Sequence, residues 1–466
     1  MAEKIKVDIA DIIENQENWW FSTSTFLLCC LVLMADGFDN QALNYTAPAV
    51  IRDWGINREL MTPVFQSSIF GWMAGALTFS MIADAIGRRN AMVFAALLFG
   101  SFTYLISFST NLWELSAYRF CASFGVGGAM PMAIALISDY TPTKRRGLMI
   151  TGLFLGYSIG SAGGGFLAAE LIVAYGWQSV FQVGGIVAVV VAGILVFTLP
   201  ESVRYLLVKN GSQERIHGYV KRMQPNKVFA PNTEFIINEA KKGKGVPLSY
   251  LFKDGRSLMT MFLWLALGFS FVTHFFISSW LATILADYMP IEQAVRTKAM
   301  FQAGAFFGVA FGFLIDRYGI PVVTLTKTIG AIPVAAIGFF IVRDAGMAVM
   351  MLAALASGIF VLGGTIGLNA ISGMIYPTFI RSTGTGAAFC VARIGALIGP
   401  AFGGLLLYLD VPVVWIFVLG AIPMVLSGAA AYGLSRTVDV LHPRKAPHTE
   451  DEPEKAPDDA VAPAHS

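Results

Sequence analysis

Charged residues are scarce in this 466-residue chain: Asp, Glu, Lys and Arg make up 13% of it, about half the share of an average soluble domain. Hydrophobic residues make up 56%, and the mean hydropathy is +0.65. A water-soluble protein with so little charge could not cover its surface, which excludes an ordinary soluble enzyme and a disordered chain. The net charge of +2 gives no global basic field for binding a nucleic acid.

Cysteines and the motifs of soluble enzymes are also scarce. Cys29, Cys30, Cys121 and Cys390 all lie within apolar runs, so neither a disulfide framework nor a CxxC metal site is predicted. The chain lacks a Walker loop, an HExxH motif and a GxSxG motif with triad partners. We therefore expect no enzyme activity, no catalytic residues, no cofactor and no metal, and an ion gradient in place of ATP as the energy source.

Long apolar runs dominate the sequence instead. A membrane-spanning helix needs about 20 mostly apolar residues. We predict spans 1 to 12 at residues 21–50, 63–83, 91–110, 113–139, 147–172, 178–199, 258–286, 298–316, 321–342, 346–376, 382–409 and 412–435. The sequence thus predicts an all-α polytopic membrane protein.

Lys and Arg are concentrated on one side of the predicted spans. The connection 200–257 carries eleven basic residues against five acidic ones. The short loops on the same side carry Arg88, Arg89, Lys144, Arg145, Arg146, Arg317 and Arg381. The positive-inside rule makes this side cytoplasmic. We therefore expect both termini in the cytoplasm and the protein in a bacterial inner membrane.

The two ends of the chain are polar. Acidic residues in segment 1–20 interrupt any basic region, so no signal peptide is predicted. The isoleucines of this cytoplasmic segment are spaced for a short interfacial helix. Residues 436–466 are rich in Pro, Ala and acids and are expected to form a disordered cytoplasmic tail.

An internal repeat divides the spans into two sets of six. Four pairs of positions lie 235 residues apart: Pro142 and Pro377, Arg146 and Arg381, Gly160 and Gly395, and Gly164 and Gly399. Parallel repeats of this kind are related by an axis along the membrane normal. We expect an N-terminal six-helix bundle (21–199), a central cytoplasmic loop (200–257) and a C-terminal six-helix bundle (258–435). Two such bundles around a central cavity are typical of alternating-access transporters.

Five sequence motifs resemble those of the major facilitator superfamily. They are SMIADAIGRR (80–89), AYRFCASFGVGGAMPMAIALISDYTPTKRRG (117–147), PESVR (200–204), YPTFIRSTGTG (376–386) and ARIGALIGP (392–400). The first departs from the superfamily pattern at Ser80 and Ala85. DGFDNQALNYTAPAV (36–50) in span 1 resembles the signature of the aromatic acid:H⁺ symporter family, whose members take up hydroxybenzoates, benzoate and gentisate in bacteria. The resemblance implies the twelve-helix fold of the superfamily, with two six-helix pseudo-repeats.

In this superfamily, motifs at the cytoplasmic helix ends secure the inner gate. The resemblance therefore implies a gating role for the matching residues here. They are Asp84, Gly87, Arg88, Arg89, Asp139, Arg145, Arg146, Asp316 and Arg381.

Two carboxylates lie deep in span 1. Asp36 and Asp39 are three residues apart and therefore share one helical face. A carboxylate at this depth costs several kcal/mol unless it faces protein or water, finds a partner or takes a proton. We interpret one or both as proton-coupling residues. The alternative is a structural cap at a helix break, since Gly37 lies between them.

Two arginines also lie within the predicted spans. Arg119 in span 4 falls at about the depth of Asp39, and a guanidinium is well suited to bind a carboxylate through two hydrogen bonds. Arg119 therefore captures the substrate carboxylate, pairs reversibly with an Asp of span 1, or forms a permanent salt bridge. Arg393 in span 11 lies near mid-depth, where it is either a second anion site or a structural residue between the halves.

Further polar and aromatic residues are candidates for contact with a substrate. His274 in span 7 is the one histidine of five inside a predicted span, where it either lines a cavity or bonds a neighbouring helix. The remaining candidates for ring stacking and hydroxyl contacts are Gln66, Tyr45, Trp280, Gln302 and Asn369.

The residues and the resemblance together predict a proton-coupled symporter that imports a monoanionic aromatic carboxylate by alternating access. Its partners would be the substrate, protons and membrane lipids, with no nucleic acid, and we expect a monomer. The alternative is the same fold carrying a sugar or an aliphatic carboxylate, which PESVR (200–204) favours. A receptor without transport activity would need a signalling domain that the loop and tail do not supply.

Overall fold

The computed structural model describes residues 5–209, 213–227, 229, 233–236, 248–253, 255–377 and 380–441. The side chains of residues 5, 309, 312, 316, 382 and 439–441 lie outside this description. Most of the predicted tail also lies outside the described residues, from 442 onward. Its described beginning continues the last helix to Leu441.

The described chain is almost entirely helical. Its helices are α1 (Ile9–Glu14), α2 (Trp19–Trp54), α3 (Thr62–Ile86), α4 (Arg88–Ile106), α5 (Leu112–Tyr140), α6 (Thr143–Tyr175), α7 (Trp177–Thr198), α8 (Val203–Val208), α9 (Gln213–Met223), α10 (Ser257–Leu285), α11 (Ile291–Ala303), α12 (Gly308–Tyr318), α13 (Pro321–Val342), α14 (Met347–Gly358), α15 (Gly364–Met374), α16 (Arg381–Tyr408) and α17 (Val413–Leu441). Two short strands, β1 (Ile5–Asp8) and β2 (Thr233–Ile236), form a parallel pair.

Among the described residues, eleven helices are long and apolar enough to cross a membrane, one of them being the continuous helix Met347–Met374 that α14, the π-helical turn Ile359–Gly363 and α15 form together. They coincide with predicted spans 1 to 7 and 9 to 12, which confirms the all-α polytopic fold. Span 8 differs from its prediction. It consists of α11 and α12, which are joined by a 3-10 turn at Gly304–Phe307 and are too short to span singly. It also begins at Ile291, seven residues before the predicted start, because its first turns carry Glu292 and Arg296 and so lack the hydropathy of a span.

Single residues explain two of the helix boundaries. Gly87 separates α3 from α4 with a φ of 98°, a conformation that favours glycine because it has no Cβ. Asn111 begins α5: its side-chain oxygen accepts the backbone N–H groups of Trp113 and Glu114 at 3.1 and 2.9 Å. Both boundaries follow from local chemistry that the sequence displays.

Glycines of the internal repeat lie at equivalent helix crossings. Gly160 in α6 faces the Met34 carbonyl of α2, and Gly395 in α16 faces the Gly268 carbonyl of α10, so a Cβ at either position would overlap backbone. Small residues let membrane helices approach this closely. The 235-residue repeat therefore places the same close contact between α2 and α6 as between α10 and α16.

The central connection separates the spanning helices α2–α7 from α10–α17 along the chain, and we call these sets the first and second halves. We call the end that carries Arg88, Arg89, Lys144, Arg145, Arg146, Arg317 and Arg381 the basic end. Polar contacts between the halves are concentrated towards the opposite end. Arg58 pairs with Asp287, and Arg296 pairs with Glu170. The halves are thus held together away from the basic end.

The N-terminal segment packs on the basic end of the first half. Ile9, Ile12 and Ile13 of α1 are only 1–3% exposed and share a core with α9. Glu14 accepts hydrogen bonds from the backbone and side chain of Thr143, and these bonds lower the pKa of the Glu14 carboxyl. The isoleucines of this short helix therefore pack against protein and not, as the sequence had led us to expect, at the membrane interface.

Candidate functional site

Asp39 and Arg119 form a buried ion pair between α2 and α5. Arg119 Nη1 lies 3.0 Å from Asp39 Oδ2, and Arg119 Nη2 donates to the Asp39 carbonyl oxygen at 2.8 Å. Arg119 Nε donates to Ser68 Oγ at 3.1 Å, and the Thr103 hydroxyl donates to Asp39 Oδ1. Both charged residues are 1% exposed. In this state the guanidinium is occupied by protein acceptors.

Asp36 lies one turn before Asp39 and has a different environment. Its side chain is buried, and its Oδ1 atom has no hydrogen-bond partner. The adjacent Gly37 packs directly against the Tyr157 carbonyl of α6, and the Tyr157 side chain lies within electrostatic range of Asp36. A buried carboxylate without a donor is costly, whereas the neutral acid is tolerated far better. The two acids of span 1 therefore have different surroundings: Asp39 has an arginine partner, and Asp36 Oδ1 has no hydrogen-bond partner.

Arg393 reaches from α16 of the second half to α3 of the first. Its guanidinium carbon lies 3.4 Å from the centroid of the Trp72 ring and 5.9 Å from that of Phe271. Tyr157 also lies within electrostatic range of Arg393. Among the described residues, no carboxylate oxygen lies within 4.0 Å of this half-buried guanidinium. Arg393 is thus a cation on an aromatic surface between the halves.

Lys298 is a buried cation that does not belong to the site residues predicted from the sequence. Its Nζ donates to the Gln41 side-chain oxygen at 2.7 Å and lies 3.9 Å from the centroid of the Tyr45 ring. The Tyr45 hydroxyl donates to the Ser161 carbonyl at 2.7 Å. Lys298 belongs to α11, whereas Gln41 and Tyr45 belong to α2. The ammonium therefore joins the two halves without a described carboxylate within 4.0 Å.

Lys327 is a second buried cation outside the site residues predicted from the sequence. Its Nζ donates to Ser270 Oγ at 2.7 Å and to Thr365 Oγ1 and the Val361 carbonyl at 3.1 Å each. Val361 lies in the π-helical turn between α14 and α15. The signal was present in the sequence, since a single Lys inside apolar span 9 is a functional candidate by its position alone.

His274 lies on α10 among cations. It is half-buried, its ring centroid is 4.9 Å from that of Phe275, and its Nδ1 atom is buried without a hydrogen-bond partner. Lys298, Lys327 and Arg393 all lie within electrostatic range of its ring. The unpartnered Nδ1 keeps His274 a candidate for contact with a substrate, which stays a prediction.

The remaining predicted contact residues divide by position. Trp280 is fully buried at the opposite end, where its Nε1 donates to the Pro400 carbonyl at 2.9 Å. Gln66 donates weakly to the Leu397 carbonyl at 3.4 Å, and Gln302 donates to Ser278 Oγ at 3.2 Å. Asn369 is half-buried, with its side-chain oxygen unpartnered. Trp280, Gln66 and Gln302 thus donate to protein acceptors, whereas the Asn369 side-chain oxygen accepts no hydrogen bond, and their contact with a substrate stays a prediction.

Asp139 organises the basic end of the first half. It pairs with Arg88, lies 3.4 Å from Arg204 Nε, and accepts a hydrogen bond from Ser202. The Arg89 N–H donates to Glu201 Oε1 at 3.1 Å. These bonds tie α4 and α5 to the segment that leaves α7, all within one half.

Other residues predicted to act in gating lie apart from this network. Arg145 lies 4.2 Å from the Trp19 ring centroid, Arg146 donates to the Thr141 carbonyl, and Arg381 donates to the Tyr376 carbonyl. Asp84 is exposed, and Gly87 forms the turn between α3 and α4. The Asp316 side chain lies outside the described residues. Their gating role stays a prediction.

The sequence matches the Major Facilitator Superfamily over residues 29–341. The chain belongs to this superfamily. It is 33% identical to the 4-hydroxybenzoate transporter PcaK of Pseudomonas aeruginosa, covering 86% of this chain and 90% of that one. It is 30% identical to a gallate transporter of Pseudomonas putida, covering 90% and 92%. As a member of the superfamily, the chain is a multi-pass membrane transporter and not an enzyme.

The fold also matches solved structures. A bacterial homologue of the human lysosomal transporter Spinster, in an inward-facing and unoccupied conformation, aligns with a TM-score of 0.71 at 15% sequence identity. The alignment covers 92% of this chain and 99% of that one. The likeness supports the superfamily fold over nearly the whole length.

Proposed function

We propose that this chain imports an aromatic carboxylate together with protons across the bacterial inner membrane by alternating access. The observation that carries the proposal is a pair of groups in the middle of the bundle: the Arg393 guanidinium of the second half, which has no described carboxylate within 4.0 Å, and the Asp36 carboxyl of the first, whose Oδ1 has no hydrogen-bond partner. The curated relatives named for 4-hydroxybenzoate and gallate support an aromatic acid as the substrate.

The charge balance of the central region favours an anion. Its described cations are Arg119, Lys298, Lys327 and Arg393, and its described acids are Asp36 and Asp39. Because Asp39 pairs with Arg119, a bound anion would face three cations and one unpaired acid. A neutral sugar would leave this excess uncompensated, so the residues argue against the sugar alternative.

Arg393 and its neighbours suit the two parts of an aromatic acid. A carboxylate can accept two parallel hydrogen bonds from a guanidinium. The Trp72 and Phe271 rings beside Arg393 offer faces on which a benzene ring can pack. His274 Nδ1 and the Asn369 side-chain oxygen are available for ring hydroxyls.

Asp36 is the better proton carrier of the two acids. Asp39 has the Arg119 guanidinium as its partner, whereas Asp36 has no donor for Oδ1. A proton on Asp36 removes the cost of a buried charge. One proton carried with one monoanion is electroneutral, so transport would respond to the pH gradient and not to voltage.

The contacts between the halves support one state of the transport cycle. Arg58–Asp287, Arg296–Glu170 and Lys298–Gln41 hold the halves together in the middle and at the end away from the basic loops. If the basic end is cytoplasmic by the positive-inside rule, this state is closed to the outside.

Uptake of labelled 4-hydroxybenzoate into proteoliposomes tests the proposal. The parent protein is expected to accumulate label when the outside is acidic. Asp36→Asn should abolish the response to the pH gradient while still permitting counterflow. Arg393→Gln should lose substrate binding, whereas Arg52→Gln, an exposed matched control, should retain both activities.

Two results would overturn the proposal. One is parent uptake that ignores the pH gradient, which would refute proton coupling. The other is uptake by Arg393→Gln with an unchanged KM, which would remove Arg393 from the site. A competition panel with aliphatic carboxylates tests the alternative substrate class, since equal competition would argue against an aromatic site.

A further inference from the structure

A cavity lies at the basic end, away from the proposed transport site. Its volume is about 380 Å³, and it is an open cleft lined by the start of α4, the segment that leaves α7, and one face of α9. The lining residues that bear on its chemistry are Arg89, Phe197, Glu201, Arg215, Tyr219 and Arg222. Three arginines against one acid give the cavity a positive balance.

The arginines of this cavity retain free donors. Arg89 Nη2 donates to the Val196 carbonyl, but Arg89 Nε is buried without a hydrogen-bond partner. Arg215 and Arg222 are seven residues apart on α9 and therefore share a face. Both are exposed, and no described carboxylate oxygen lies within 4.0 Å of either guanidinium. The free groups are thus cationic donors that converge on one space.

Two acceptor atoms at this cavity already receive hydrogen bonds from the protein. Glu201 Oε1 accepts the N–H groups of Arg89 at 3.1 Å and Ser202 at 2.9 Å. The Tyr219 hydroxyl accepts the Glu201 N–H at 3.3 Å, which leaves its own hydrogen to donate. A cavity with three arginines against one carboxylate, whose Oε1 already accepts two hydrogen bonds, is suited to an anion rather than to a cation or a neutral solute.

The position of the cavity indicates which anion. Phe197, which lines it, is 88% exposed and lies one residue before the end of spanning helix α7. The cavity therefore opens at the level where α7 leaves the apolar part of the membrane, which is where phospholipid phosphates lie. Guanidinium groups bind phosphate oxygens through two hydrogen bonds, and basic clusters beside a spanning helix attract anionic lipids.

We propose that this cavity binds the phosphate of an anionic phospholipid headgroup, held by Arg89, Arg215 and Arg222 with the Tyr219 hydroxyl. The bound phosphate would join α4 and α7 of the first half to α9 of the central loop. The proposal is independent of which solute the transporter carries.

Lipid retention by the full-length protein tests the site. Native mass spectrometry would compare phosphatidylglycerol with phosphatidylcholine on the parent, on Arg215→Gln/Arg222→Gln and on Tyr219→Phe. The control Lys209→Gln/Lys221→Gln removes the same charge from residues that do not line the cavity. The arginine pair should weaken phosphatidylglycerol binding about tenfold or more, as expected when charge-assisted hydrogen bonds are lost. Tyr219→Phe should weaken it less, and the control should match the parent.

Three outcomes would overturn the proposal. Equal retention of the two lipids by the parent would show no preference for an anionic headgroup. Equal loss in the arginine and lysine pairs would reduce the effect to net charge. Displacement of phosphatidylglycerol by inorganic phosphate at a comparable concentration would assign the cavity to a free anion. Because the variants change surface residues, an unchanged elution volume on size exclusion suffices to show that they are folded.

Discussion

The Asp39–Arg119 pair is expected to stabilise the first half as one unit. Arg119 donates to Asp39, Ser68 and backbone carbonyls, and it is 1% exposed. Removing one partner of a buried ion pair leaves the other charge uncompensated, at a cost of about 3–5 kcal/mol. We therefore expect Arg119→Met and Asp39→Asn each to lower the free energy of unfolding by that amount. The double variant should lose far less than the sum, with a coupling energy of about 2–3 kcal/mol.

Unfolding in mixed detergent micelles, followed by tryptophan fluorescence, measures this double-mutant cycle. Ser68→Ala serves as a reference because it removes one hydrogen bond, for which about 1 kcal/mol is expected. Losses that add within about 0.5 kcal/mol would show that the two charges do not act as a unit. Loss of 4-hydroxybenzoate binding in Arg119→Met, with stability unchanged, would instead make Arg119 the substrate anchor and refute the structural role.

Three further outcomes follow from single contacts. Gly160→Ala should destabilise the protein by about 1–3 kcal/mol because its Cβ would overlap the Met34 carbonyl, whereas Gly163→Ala, which faces open space, should not; micelle unfolding compares them. Lys298→Met should leave stability within about 1 kcal/mol of the parent or raise it, since the apolar side chain needs no counter-ion; a larger loss would show that the ammonium is essential to the packing. The lowered pKa of Glu14 means that its hydrogen bonds to Thr143 stabilise α1 when the pH is above the ordinary carboxyl pKa, and that this stabilisation is lost as the pH falls through the lowered value. The hydrogen-exchange rates of α1 in the parent and in Glu14→Gln should therefore become equal at low pH.

The sequence was sufficient to predict the spanning helices because a membrane imposes a direct requirement on composition. Eleven predicted spans coincide with helices of the structure, and the repeated glycines Gly160 and Gly395 occupy equivalent backbone crossings. Both signals depend only on local properties. Hydropathy identifies segments that can be buried in lipid, and glycine marks positions where two backbones approach each other.

Span 8 shows why this reasoning has a limit. Charged residues at the start of α11 make contacts with other helices, as Arg296 does with Glu170 and Lys298 with Gln41. A hydropathy window cannot recognise these partners, so it begins the span too late and leaves Lys298 at its edge. Lys327 was predictable from its position in an apolar span, but its three oxygen partners lie in α10, α15 and the π turn before α15, which are distant in sequence.

The spacing of Asp36 and Asp39 likewise predicts a shared helical face but not their different roles. Arg119 lies far along the chain and can pair with only one of them at a time, and the fold assigns it to Asp39. Trp72 could not be selected from nine tryptophans until α3 and α16 were brought together around Arg393. Pairwise chemistry between the halves is therefore the part of the site that sequence patterns do not contain.

The distribution of charge between the halves explains why substrate and proton would move together. Among the described residues, the central part of the second half carries Lys298, Lys327 and Arg393 but no carboxylate, whereas both central acids belong to the first half. A substrate carboxylate would supply the anion that the second half lacks, and a proton on Asp36 would neutralise the acid that Arg119 leaves unpaired. Either one alone would change the net charge of the central region by one unit, whereas the two together leave it equal to that of the empty carrier. We infer that this difference in net charge, set by residues on both sides of the interface, is what would restrict the conformational change to the doubly loaded or the empty carrier.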